Sequence, residues 1–150
     1  MKKILATLLF FFTILTYSQV NFEEIDWDNE AIGFACSFGG TPTNPVVNAT
    51  SLIKKPKYKR IRKLIYSEKP YEQFLGVLIL EQFQKKNKLT ISETDFKQIE
   101  LLRKSKEKVA VCSGCTYWDE LTIEQMLETK DPDGFYEIGV SWFNFYYNRL

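Results

Sequence analysis

The 150 residues contain no histidine. That absence excludes Ser-His-Asp and Cys-His catalysis, a histidine general base and every histidine metal site. Cysteine is scarce as well: three thiols cannot complete a four-thiolate zinc site or a multi-bridge framework of the small-toxin kind. The long apolar run at residues 4–17 falls short of the roughly 20 residues that a membrane-spanning helix needs. What is present is ordinary: 45% hydrophobic and 26% charged residues exclude disordered, collagen-like and low-complexity classes. With no recognisable nucleophile–base pair either, the chain reads as a non-catalytic protein that needs no cofactor and no metal.

Lys2 and Lys3 precede the apolar run, and Thr16-Tyr17-Ser18 places small residues at the two positions a signal peptidase inspects. Residues 1–18 therefore read as a signal peptide of bacterial style, with cleavage beside Ser18–Gln19 or just after Gln19. The expected product is a single domain at 19–150, secreted or periplasmic, with no transmembrane segment left after cleavage. A chain of that length can bury about two-thirds of its unfolded surface. Ala35-Cys36 does not mark a lipoprotein, because Asp26, Asp28 and Glu30 ahead of it are acidic.

Loss of Lys2 and Lys3 takes the net charge from +1 to −1, but the total hides a strong asymmetry. Residues 21–30 carry five acids and no base, whereas residues 54–63 carry seven bases and no acid. Sign asymmetry of this kind bears on partners more than the net value does.

Apolar spacing predicts helices near 45–55, 57–66, 71–86, 93–106 and 120–129. Pro45 suits a first helical position, and Pro56 ends the first helix. Tyr58, Ile61, Leu64 and Ile65 form the apolar face of the second helix, with the bases on the other face. Residues 71–86 are apolar enough to be the central, most buried helix, and with residues 57–66 they form an antiparallel hairpin. Ser92 caps the next helix, with Asp95 in its first turn. A shift of 38 residues aligns Tyr58-Lys59-x-Ile61-x-x-Leu64-x-x-Ser67 with Phe96-Lys97-x-Ile99-x-x-Leu102-x-x-Ser105. Over residues 57–112 that spacing resembles helical-hairpin repeats of the HEAT kind. The fold expectation is a mainly α, single small domain of antiparallel helical hairpins. Asp131-Pro132-Asp133-Gly134 is a turn. Beyond it, residues 135–147 fit a helical stripe and strand alternation equally, and helix is favoured because isolated strands are marginal.

Cys112-Ser113-Gly114-Cys115 is the sharpest local motif. Two thiols at this spacing can close a small disulfide that pins a loop, or work as a redox pair. Val109-Ala110-Val111 resembles the strand before a thioredoxin-like pair, yet no βαβ pattern surrounds it. A Cys112–Cys115 disulfide is expected, with pairing to Cys36 as the remaining arrangement and Cys36 otherwise a buried apolar thiol. An odd thiol is left in every case.

The basic run supplies the candidate binding residues Lys59, Arg60, Arg62 and Lys63. Export removes nucleic acid as a partner, which leaves an anionic surface or an acidic protein. The acids at 23–30 offer an internal alternative, since they could lie against the same face. A non-catalytic exported binding module is the functional expectation, with a thiol–disulfide protein using Cys112 and Cys115 as the alternative.

Overall fold

The computed structural model describes residues 25–128 and 131–149. The expected signal peptide at 1–18, its cleavage site and the acids Glu23 and Glu24 lie outside the described residues. Among the described residues the order of elements is α1 (Asn44–Lys54), α2 (Tyr58–Leu64), α3 (Pro70–Lys85), α4 (Glu93–Leu102), β1 (Lys108–Ser113), β2 (Tyr117–Thr122), α5 (Ile123–Met126) and α6 (Phe135–Tyr147). The mainly helical expectation is therefore corrected: the chain combines helices with a two-stranded antiparallel sheet.

Helix α3 lies at the centre. Phe74, Val77, Leu78, Ile79, Leu80 and Phe83 are all fully buried, because α1, α2, α4, α5, α6 and β1 all pack around it. A helix apolar on all sides is stable only when surrounded in this way. Helix α2 sits so close that a Cβ on Gly76 would lie 2.7 Å from Leu64 Cβ and 2.9 Å from the Ile65 nitrogen. Glycine is the residue that permits this approach. The C-terminal segment is helical, and α6 closes the core with Phe143 and Tyr147 against Phe83. Trp142 donates from Nε1 to Thr50 Oγ1 at 3.2 Å, which ties α6 to α1.

Polar ties complete this layer. Glu81 accepts from the Tyr136 hydroxyl at 2.6 Å and from Arg103 Nη2 at 2.6 Å, joining α3, α6 and the end of α4. Burial, reinforced by the Glu81 hydrogen bond, pushes the Tyr136 phenol up in pKa, so it stays a neutral donor. The cluster is satisfied internally and reads as structural.

The departure from a hairpin-repeat fold begins after α4. Residues Val109, Ala110, Val111 and Cys112 are buried in succession, a pattern typical of a strand covered on both faces. One neighbour of β1 is β2, paired from Lys108↔Thr122 to Ser113↔Tyr117. On the other edge residues 31–36 run parallel, with Ile32 bridging Val111 and Cys36 bridging Gly114. The 38-residue spacing is thus not continued, since the strands β1 and β2 follow α4. Likewise the helix expected at 120–129 is confined to Ile123–Met126. A capping box fixes its start: Thr122 Oγ1 accepts from the Gln125 backbone at 3.2 Å, and Gln125 Oε1 accepts from the Thr122 backbone at 2.8 Å.

Candidate functional sites: the disulfide corner, the basic helix and an adjoining cleft

The expected Cys112–Cys115 disulfide is not the one formed. Cys112 is bonded to Cys36, with Cα atoms 5.6 Å apart, and Cys115 is left as an exposed free thiol. The reason lies in strand pairing. Cys36 runs beside β1: Gly114 donates to the Ala35 carbonyl at 2.8 Å and Ser37 to the Gly114 carbonyl at 2.9 Å. That register brings Cys36 and Cys112 side by side, while Cys115 falls in the turn between Ser113 and Tyr117. Both bonded cysteines are buried, at 4% and 1% exposure, which denies an attacking thiolate access from solvent. A Cβ on Gly33 would come 2.0 Å from Cys36 Sγ and 2.3 Å from Cys112 Sγ, so the bridge needs glycine above it. Thr43 locks the same corner, its hydroxyl donating to the Ala31 carbonyl at 2.8 Å and accepting from the Gly33 amide at 3.1 Å. Trp27 and Trp118 meet edge to face at 5.0 Å beside it.

The basic helix divides its cations between two tasks. Ile61 and Ile65 are buried and Tyr58 and Leu64 half-buried, so the apolar face lies inward as the spacing requires. Arg62 is committed to the fold. Its Nη1 reaches Asp95 Oδ2 at 2.6 Å and its Nη2 donates to the Thr90 carbonyl at 2.7 Å. Asp95 also accepts from Tyr66 at 3.0 Å and, through its backbone, donates to Ser92 Oγ at 3.1 Å. Burial works to raise the Asp95 pKa, but the Ser92 and Tyr66 hydrogen bonds and the Arg62 charge outweigh it. The carboxyl is held below the ordinary aspartate value. Lys59, Arg60 and Lys63 are exposed, and among the described residues no carboxylate lies within ion-pair distance of them. Of the described acids in the entry segment, Asp26 accepts from Asn29 at 2.9 Å, and none forms an ion pair with α2.

Arg60 also borders a cleft of about 300 Å³ between α1, α2 and the first turn of α3. Pro45, Ala49, Leu52, Leu64 and Leu75 contribute apolar surface, and Asn29, Asn44, Asn48, Lys69, Tyr71 and Glu72 contribute polar groups. Sequence reasoning does not find this cleft, because its residues are spread over 47 positions on several elements and share no motif. Among the described residues no helix is long and apolar enough to cross a membrane, and no group of three or more acidic or thiol side chains is placed to hold a metal ion. Comparison of the chain with protein-family models, curated proteins and solved structures finds no match in any of the three.

Proposed function

We propose that the chain is a non-catalytic binding module, secreted or periplasmic, that engages an anionic partner through the exposed face of α2. The observation that carries this reading is the division of cations on that helix: Arg62 is tied to Asp95, whereas Lys59, Arg60 and Lys63 face outward without a described carboxylate. Three neighbouring cations in a chain of near-zero net charge give a local positive field. Supporting the extracytoplasmic part are a buried disulfide, which persists in oxidising compartments, and the apolar run behind Lys2 and Lys3. The thiol–disulfide alternative needs Cys112 and Cys115 as mutual partners, and Cys112 is bonded to Cys36 instead.

The test is co-sedimentation with phosphatidylglycerol vesicles at increasing salt, comparing wild type with the triple variant Lys59→Gln, Arg60→Gln, Lys63→Gln. Wild type should bind at low ionic strength and release as the Debye length shrinks below about 8 Å. The variant should fail to bind while keeping its thermal midpoint. Equal binding by both proteins removes α2 as the interaction face. N-terminal sequencing of protein from its native host should begin at Gln19 or Val20, and recovery of Met1 in a membrane fraction would contradict export.

A further inference from the structure

We infer that the cleft between α1, α2 and α3 is a recognition site for a carboxylate carried on a short apolar body. This inference rests on the binding-module reading and assigns it a specific ligand chemistry. The volume, about 300 Å³, sits at the lower end of small-ligand pockets, the size of an amino acid and not of a nucleotide. Leu52, Leu64 and Leu75 supply apolar contact for the ligand body.

The polar groups are not equivalent. Glu72 is occupied, accepting from Ser67 Oγ at 2.6 Å. Lys69 is shared: its ammonium lies 5.7 Å from the centre of the Tyr71 ring, and its pKa is raised chiefly by Tyr71, with Glu72 and Glu30 adding. Asn29 donates to Asp26 and accepts from Asn44 Nδ2, at 2.9 Å each. That leaves the Arg60 guanidinium, the Asn48 amide and Asn44 Oδ1 without side-chain partners among the described residues. One free planar fork matches one carboxylate, which it can hold by two parallel hydrogen bonds. Inorganic phosphate has no apolar body to set against Leu52, Leu64 and Leu75. The Asn44 and Asn48 groups can serve an amide next to the acid. The same chemistry is offered by a free N-acylated amino acid and by the C-terminus of a partner polypeptide.

The experiment is an NMR titration of the folded chain, following the methyl groups of Leu52, Leu64 and Leu75. The probes are N-acetyl-leucine, N-acetyl-leucinamide, a tetrapeptide ending in leucine, and inorganic phosphate. The acid and the tetrapeptide should shift these methyls and the amide should not. Tighter binding of the tetrapeptide assigns the ligand to a polypeptide C-terminus, and equal binding assigns it to a free acid. Arg60→Gln should weaken acid binding by about ten- to a hundredfold, the worth of a charge-assisted hydrogen bond. Asn48→Leu, on an exposed position, should weaken it too, and unchanged thermal midpoints show that both variants fold. The double variant Lys59→Gln, Lys63→Gln should lose vesicle binding and keep acid binding. Wild type that binds vesicles but leaves the methyls unmoved by the acid overturns the cleft inference alone. Equal binding of acid and amide, or tighter binding of phosphate, overturns the ligand class.

Discussion

The helical layer around α3 and the sheet corner formed by residues 31–43 and β1–β2 are stabilised in opposite ways. In the layer, buried side chains three and four positions apart along each helix meet their neighbours, so much of the information is local in sequence. In the corner the decisive contacts span long stretches of chain. Ile32 pairs with Val111, and Cys36 is covalently joined to Cys112 across a separation of 76 residues. Closing so long a loop is entropically costly in the unfolded chain, and the disulfide removes much of that cost. The layer is a packing problem, whereas the corner is a closure problem.

The largest expected effect comes from breaking the closure. Replacing Cys36 and Cys112 together by Ser should lower stability by about 4.5 kcal/mol, the chain-entropy value for a loop of this length. Hydrogen exchange sharpens the comparison, because the Ile32 and Cys112 amides bridge the two chain segments and should lose protection before the amides of α3. If α3 loses protection equally, layer and corner form one cooperative unit and the contrast fails.

A somewhat smaller loss is expected from the layer itself. Leu78 and Leu80 are fully buried on α3, and Leu78→Ala should cost about 3 kcal/mol, within the range for a Leu-to-Ala cavity. Chemical denaturation should show a lower midpoint with an unchanged slope. Less than about half a kcal/mol would be inconsistent with a central position for this helix.

Next comes the tie between α2 and α4. Asp95→Asn should cost about 1–2 kcal/mol by weakening charge-assisted bonds to Arg62 and Tyr66. The pH dependence has a definite sign. The folded Asp95 pKa is depressed, so its stabilisation is fully present above the unfolded value of about 3.9 and disappears as pH falls through the lower folded value. Thermal midpoints measured from pH 2 to 6 should fall on the acid side in wild type and fall less in the variant.

The smallest effect belongs to the exposed thiol. Cys115→Ser should change stability by less than about 0.5 kcal/mol. Mass spectrometry of native wild type after iodoacetamide should show a single alkyl group, and none on the variant. A marked destabilisation by Cys115→Ser, or no labelling, would restore Cys115 as a partner of Cys112.

Legibility followed the same division. Helices α1 to α4 were readable because Pro45, Pro56, Pro70 and Ser92 mark their boundaries and the apolar residues repeat at helical spacing. The inward face of α2 was readable for the same reason. The division of its cations was not, since the pairing of Arg62 depends on Asp95, 33 residues away. The strand at Val109-Ala110-Val111 left a trace in its apolar run, but β2 has neither an apolar run nor clean alternation. Its exposed, charged character suits the edge of a sheet, and edge strands carry weak sequence signals.

By itself, the sequence determined that the segments of α1 to α4 coil into helices, which face α2 buries and which catalytic chemistries the lack of histidine excludes. Those properties depend on neighbours within a turn or two of the chain, where periodicity and capping act directly. Only the tertiary structure decided that Cys36 and not Cys115 joins Cys112, that residues 31–36 lie along β1, and that Arg60 borders a cleft while Arg62 does not. Each of those outcomes turns on the pairing of distant segments. Many registers are compatible with the same composition, and the packing of the whole core selects among them.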